Sequence, residues 1–491
     1  MHTASRNNLS ALSLAPASLA PASLAPASLA TASPNGRNHR LTFGGVEFLG
    51  LLILVSATVT GLLSGSTHGQ ERQVRPEKGF AQGPAIPRVT QEKLSVTDRS
   101  TSNSWGRFRG EGGLGVNEKC RVVVPWKPEQ VTKIPLPGSG NGSPVIWGKR
   151  VFLLAANDDN ADRIVVAIDM ETNQIEWEKR FPSTKHRLHQ FSTYASTTPC
   201  VDEDGVVFAW GEPEHVVVKR FSHRGEELWS RDFGRYVSQH GFGTSPMVID
   251  GKVILLDSQD AEELEPGVEP GRDRMLALDL RTGATLWETP LPTRRVCYGV
   301  PSVREVNGVK ELVCATTGLG IFGMELETGK VLWNHDCFKQ RVCASTVISG
   351  PLAIASHGSG GGRDNLLVAY DMETREERFR IQRAAPYVPT PVVYGDLVFL
   401  WSDAGIVSCV RLTDGATRWS ERIGGNFFSS PVIVGDRLLN ISDRGDVTVL
   451  AASDGYRVLG TIATESVIRS TPAVTESEIL LRTESELWVI R

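Results

Sequence analysis

Residues 276–287, Leu-Ala-Leu-Asp-Leu-Arg-Thr-Gly-Ala-Thr-Leu-Trp, restrict what this chain can fold into more than any other stretch. An alternating apolar run reaches Asp279, a Thr282-Gly283 turn follows, and a second short run ends on Trp287. Alternation on both sides of a glycine-containing turn predicts a β-hairpin. Asp279 can close the turn by accepting from backbone N–H groups two or three residues on. The pattern recurs as Val166-Ala-Ile-Asp169 with Thr172 and Trp177, as Gly323-Met-Glu325 with Thr328-Gly329 and Trp333, and as Val368-Ala-Tyr-Asp371 with Thr374 and Phe379. Weaker copies end on Trp229, Trp419 and Leu459, which makes seven. A chain with one hairpin at a fixed period is an array of like units, and its length is not limited by the size of a single core.

A second marker sets the unit boundary. A small or hydroxyl residue followed by proline precedes a strand at Ser143-Pro144, Thr198-Pro199, Ser245-Pro246, Val300-Pro301, Thr390-Pro391, Ser430-Pro431 and Thr471-Pro472, and Ser345-Thr346 takes its place once. Eight starts about 40 to 55 residues apart match the spacing of four-stranded propeller blades. There are only seven complete hairpins, and the last unit stops one strand short at Arg491. One unclaimed strand, residues 130–134, lies before the first marker and is ended by Pro135 and Pro137. The reading is all-β: an eight-bladed propeller over 127–491, four antiparallel strands per blade, closed by N- and C-terminal strands sharing one blade. Trp177, Trp229, Trp287, Trp333 and Trp419 sit at one repeat position and are expected to wedge neighbouring blades apart, not to line a site. The chain is expected to be a monomeric propeller.

The N-terminal part is of another kind. Residues 1–45 carry Leu-Ala-Pro-Ala-Ser repeats whose regular prolines forbid a helix. Arg37 and Arg40 precede an uncharged apolar run at 48–63, so 46–66 reads as a signal peptide or signal anchor, with the bulk of the chain on the extracytoplasmic or periplasmic side of a membrane. Residues 67–100, with Pro76, Pro84 and Pro87, read as a linker, and 101–126, with Trp105-Gly-Arg-Phe-Arg-Gly110, as a segment that docks on the propeller. With 52 Lys and Arg against 56 Asp and Glu, a net charge of −4 gives no footprint for nucleic acid.

The hairpin units resemble the pyrroloquinoline-quinone-type (PQQ-like) repeat, Ala-x-Asp-x-x-Thr-Gly-x-x-x-Trp, over about three-quarters of the chain. The resemblance implies one of two activities. One branch is the quinoprotein alcohol dehydrogenases, which hold PQQ and calcium on the propeller axis. The other, closest in character, is the BamB-like branch typified by the outer-membrane β-barrel assembly lipoprotein, which binds protein. Here no two cysteines are adjacent, as the dehydrogenase disulfide over the quinone requires, and no Cys-x-x-Cys-His is present for haem. The expectation is therefore a non-catalytic module that binds protein partners in the cell envelope, with membrane attachment through 48–63 and no cofactor. The alternative is a PQQ-dependent oxidoreductase using PQQ with calcium.

Residues just before each innermost strand should ring one mouth of the central channel. His189, His240, Tyr298, Arg341, Tyr387, Asn426 and Arg469 occupy that position and are the candidate binding residues. His189 and His240 with a carboxylate could hold a metal, although polar lining of a funnel explains them equally without one. Asp158, Asn160, Asp162 and Asp169 imitate half of a calcium loop, but Arg163 stands where its glycine belongs. Residues 260–269, with four glutamates, read as a solvated insertion, and Cys337 and Cys343 flank one turn without their spacing fixing a disulfide.

Overall fold

The computed structural model describes residues 103–491. The low-complexity repeats, the apolar run 48–63 and the segment 67–100 lie outside the described residues. Eight sheets follow one another round a ring, antiparallel throughout except where Val116–Asn117 lies parallel to Val432–Val434. Blade 3 shows the plan: Met247–Ile249, Lys252–Asp257, Arg274–Asp279 and Thr285–Pro290 pair in sequence order from the axis outwards. Its two middle strands are almost wholly buried while the outer strand alternates. Middle strands lie between neighbouring blades on both faces and so read as continuous apolar runs. The outer strand has one face in water.

The hairpin turn is built as its residues dictate. The Asp279 carboxylate accepts from Thr282 N–H at 2.7 Å, and Gly283 takes φ 72°. Gly283 has a second duty. The Trp229 ring of the preceding blade lies so close that a Cβ on Gly283 would sit 2.7 Å from it. Trp177 meets Gly225 in the same way, Trp287 meets Gly329, and Phe379 meets Gly415. The indole N–H groups of Trp177, Trp229, Trp287 and Trp419 donate to carbonyls of the following blade at 2.8–3.1 Å. Trp333 differs, donating to Glu311 of its own blade at 3.1 Å and stacking on Tyr370 of the next. In the four turns at Gly225, Gly283, Gly329 and Gly415 glycine recurs with the aromatic because it makes room for the ring of the preceding blade, whereas Gly455 of blade 7 faces open space.

Each of the seven hairpins also carries a bulge one residue before the tryptophan position, which in blade 7 is Gly460 and not Leu459 as the sequence repeat suggested. In blade 3, Ala277 pairs with Trp287 and Leu278 with Thr285, leaving Leu286 as the extra residue. The bulged residues are Glu176, Leu228, Leu286, Leu332, Arg378, Arg418 and Leu459. Bulges twist the free edge and disfavour pairing with another chain.

The eighth blade takes its outer strand from the start of the propeller. Val131–Pro135 pairs antiparallel with Glu486–Ile490, from Val131 opposite Ile490 to Pro135 opposite Glu486. Two details correct the expectation. Gln130 belongs to a short 3-10 turn, Pro128–Gln130, and Pro135 is part of the strand. Proline is tolerated there because the strand is at an edge. Blades 1 and 7 have five strands, not four, because Ser104–Trp105 joins the first and Val116–Asn117 the second.

The marker residues hold the ring at its axis. Each hydroxyl accepts the backbone N–H of the marker in the preceding blade: Thr198 from Ser143, Ser245 from Thr198, Ser345 from Val300, Thr390 from Ser345, Ser430 from Thr390, Thr471 from Ser430, and Ser143 from Thr471, all at 2.9–3.0 Å. The belt joins seven of eight blade pairs and breaks only where Val300 has no hydroxyl to offer Ser245. Ser143→Ala should leave the buried Thr471 N–H unpaired and cost about 1–3 kcal/mol. Val300→Thr should add back part of a bond. Urea unfolding of both variants checks the pair, and an unshifted midpoint for Ser143→Ala would contradict the belt.

Residues 103–117 close one end of the axis. Asn103 donates to Gly148 O at 2.7 Å, and Val201 N donates to Gly106 O at 2.7 Å. Arg107 reaches Pro301 O at 2.9 Å and Met247 Sδ at 2.7 Å. Arg109, 1 % exposed, donates to Pro391 O and Pro431 O at 2.8 Å each and to Thr390 O at 3.4 Å. The segment thus crosses from blade 1 to blade 7 among the first strands. Gly148 and Gly435, which it bonds, lie in turns between first and second strands, so it enters from the face bearing those turns.

Candidate functional site at the channel mouth

The opposite face carries the loops that lead into each first strand. His189 and His240 stack there with ring centroids 5.0 Å apart and planes 17° from parallel. His189 also meets the edge of Phe191 at 5.4 Å, and Phe191 contacts Phe428 at 4.9 Å. Phe428 stands before blade 7, so the loop from blade 1 reaches over the mouth to meet it. The Arg469 guanidinium lies 5.6 Å from the Phe191 ring centre and pairs with Glu484 at 3.3 Å. A continuous arc results, His240, His189, Phe191 and Arg469, with Phe428 facing it.

Arg341 lies on the far side of His240 and reaches Asp260 at 3.4 Å. Asp260 is fully buried and also accepts from Val296 N at 2.9 Å and Gln239 N at 3.0 Å. The insertion is solvated as read, with Glu263 and residues 265–269 exposed, but its first residue is buried as an internal anchor. Three of its four glutamates form surface pairs with arginines from other loops: Glu262 with Arg294, Glu263 with Arg295 and Glu265 with Arg187.

The remaining candidates divide. Tyr298 is turned inward, donating to Gly241 O at 3.2 Å, and burial raises its pKa. Tyr387 shares a hydrogen bond with Cys343, whose thiol burial pushes up to about 12. Both tyrosines therefore tie adjacent loops together beneath the arc. Asn426 is exposed and contributes its backbone carbonyl to Asp443 N at 2.8 Å. His186 turns away against Tyr194. Phe191 and Phe428 shape the mouth and carried no sequence signal, since single aromatics in loops have no period.

His240 is held neutral. Burial, then the charge of Arg341 and the neighbouring His189, lower its pKa from 6.5 to about 4, with Asp260 opposing. A depressed base binds its proton more readily unfolded than folded. Its contribution to stability is therefore complete above about pH 6.5 and is lost as pH falls towards 4. Replacing His240 by Gln should flatten the decline of the unfolding midpoint between pH 6.5 and 4. An unchanged slope would mean that His240 titrates normally.

The metal-like patterns do not converge. Asp162 and Asp169 are separated by the strand Arg163–Asp169, with Asp169 capping the turn at its far end. Among the described residues no group of three or more His, Cys, Asp or Glu is arranged to hold a metal ion. All seven cysteines, Cys337 and Cys343 included, are free thiols.

A family model described as outer membrane protein assembly factor BamB matches residues 121–289 and 268–421. The BamB of Burkholderia pseudomallei (strain K96243) is 25% identical over 307 residues, 56% of this chain and 74% of that protein. The crystal structure of BamB from Moraxella catarrhalis is similar with a TM-score of 0.51 at 15% identity, over 73% of this chain and 98% of that one. A quinohemoprotein alcohol dehydrogenase from Comamonas testosteroni is similar with a TM-score of 0.58 at 11% identity, over 82% of each chain. These two structural likenesses show the propeller fold alone.

A quinone held by calcium would need free carboxylates at the mouth. Asp260 is spent on Arg341 and two backbone N–H groups, Asp403 on the N–H groups of Tyr387 and Val388, and Glu484 on Arg469, while Asp443 keeps a buried oxygen without a partner, and no further His, Cys, Asp or Glu converges with it among the described residues. The residues present do not fit that group.

Proposed function

The chain belongs to the PQQ-like propeller family of outer membrane protein assembly factor BamB, and from that premise we propose that it is a non-catalytic binding module of the cell envelope, held at a membrane through residues 48–63 and taking protein at the channel mouth. The observation that carries this reading is the arc of His189, Phe191, Phe428 and Arg469. Aromatic and arginine side chains are the types on which protein interfaces concentrate their binding energy. Asp260, Asp403 and Glu484 are tied to arginines and backbone N–H groups, which leaves Asp443 without a second acidic partner among the described residues. Nothing at the mouth pairs a nucleophile with a base.

Affinity purification of the full chain from cross-linked membranes tests the reading. The wild type should retain a defined protein that the Phe191→Ala/Arg469→Glu variant loses, with both forms melting alike. Uptake of PQQ with calcium, accompanied by dye-linked alcohol oxidation, would overturn it in favour of the oxidoreductase.

A further inference from the structure

The exposed apolar side chains of the propeller are distributed on one face. Eight large hydrophobic residues are exposed among the described residues. Leu228, Leu286 and Leu332 are the bulged residues of blades 2, 3 and 4, exposed by 47%, 48% and 41%, and Val309 follows the first turn of blade 4. Tyr456 and Val458 stand in and just after the hairpin turn of blade 7, and Val123 lies in the segment that bonds the turn of blade 8 through Arg121 N to Glu476 O. All seven are on the turn face. Only Val268, in the acidic insertion, belongs to the mouth face. Where blades 2–4 put leucine at the bulge, blades 1, 5 and 6 put Glu176, Arg378 and Arg418.

The seven fall in two patches, one on blades 2–4 and one on blades 7 and 8. Blades 3 and 7 are four apart in a ring of eight, so the patches lie on opposite sides of the axis. A flat surface can touch both at once, whereas a small partner covers one. The described chain also enters the propeller on this face, at Asn103 beside Gly148. Some charges there are paired with one another, Lys149 with Glu171, Lys252 with Glu327 and Lys310 with Asp250, while the exposed Arg281, Lys330 and Arg457 of the hairpin turns are in no ion pair among the described residues and can face anionic headgroups.

We propose that the turn face rests on a lipid bilayer, the leucines of blades 2–4 and the apolar residues of blade 7 entering its headgroup boundary, so that the mouth points away from the membrane. This rests on the reading that residues 48–63 hold the chain at a membrane. A few apolar side chains give weak, reversible membrane contact alone, and a tether supplies the second signal that makes it persistent.

The test uses the full chain in vesicles of phosphatidylethanolamine and phosphatidylglycerol, with or without brominated acyl chains. Leu286→Trp and Val268→Trp each add one indole at an exposed site, and wild-type fluorescence is subtracted. Thermal melting should match the wild type for both. Bromine should quench the added indole of Leu286→Trp at least about threefold more than that of Val268→Trp, because contact quenching requires a side chain at the acyl boundary. Equal quenching in chain that floats with the vesicles overturns the proposal alone. Chain that does not float overturns the tethering as well.

Discussion

Arg109→Met should destabilise the propeller by at least about 4 kcal/mol, because hydrogen bonds from a charged donor are worth about 1.5–3 kcal/mol each and their buried acceptors are left behind. Arg109 donates to five carbonyls, three on blades 6 and 7 and two, Gly113 and Leu114, in its own segment. Burial lowers its pKa only to about 9, so it is a cation at neutral pH, held by carbonyl dipoles. Arg109→Lys should recover little, since one ammonium cannot fork between Pro391 and Pro431. Urea unfolding followed by tryptophan fluorescence measures both variants. A loss below about 1 kcal/mol for Arg109→Met, within the range of an ordinary surface change, would show that the stopper is not part of the folded core.

Deleting residues 127–135 should open the ring. The lost strand pairs five residues with Glu486–Ile490, buries Ile134 and places Lys133 4.0 Å from the Trp488 ring centre. Without it, the edge strand of blade 8 has unpaired backbone groups, and the seam is left to the Ser143–Thr471 bond, the bonds from Arg482 to Gly142 O and Arg491 to Met170 O, and side-chain packing. Amide exchange over 479–490 should rise at least about a hundredfold, the result of losing a few kcal/mol of local protection. Unchanged exchange there would mean that blade 8 closes without the N-terminal strand.

Much of this architecture was legible in sequence because a repeat states its rule several times. The count of eight markers against seven hairpins led to the shared blade. The hydroxyl before proline was visible as a marker, but its purpose was not, since its partner lies a whole unit away in the neighbouring blade, and 328 residues away at the seam between Ser143 and Thr471. The bulge was likewise hidden, because Leu286 and Trp287 read as ordinary strand neighbours until the pairing register is known. Arg107 and Arg109 sit in a glycine-rich segment that looked like a docking strap. That they reach carbonyls at the first-strand starts of blades 4, 6 and 7, and a methionine sulfur of blade 3, follows from closure of the ring, which no local pattern encodes.

At the mouth, position told more than residue type. Placement before a first strand brought His189 and His240 together and set Arg469 against Phe191. It gave no hint that Tyr298 and Tyr387 turn beneath the arc, because that depends on Gly241 and Cys343 in neighbouring loops. The acidic insertion is exposed as read, but neither the burial of Asp260 nor the arginines at 187, 294 and 295 that pair with its glutamates had a local pattern.

The central claim, that the mouth is a surface for protein, is tested most directly by a photoreactive phenylalanine analogue placed at Phe428 in the living cell. Irradiation should yield a discrete cross-linked protein from Phe428, and none from the same analogue at Trp401, which is fully buried within blade 6. Absence of any protein adduct at Phe428, in cells where the full chain is membrane-bound and folded, would contradict the account.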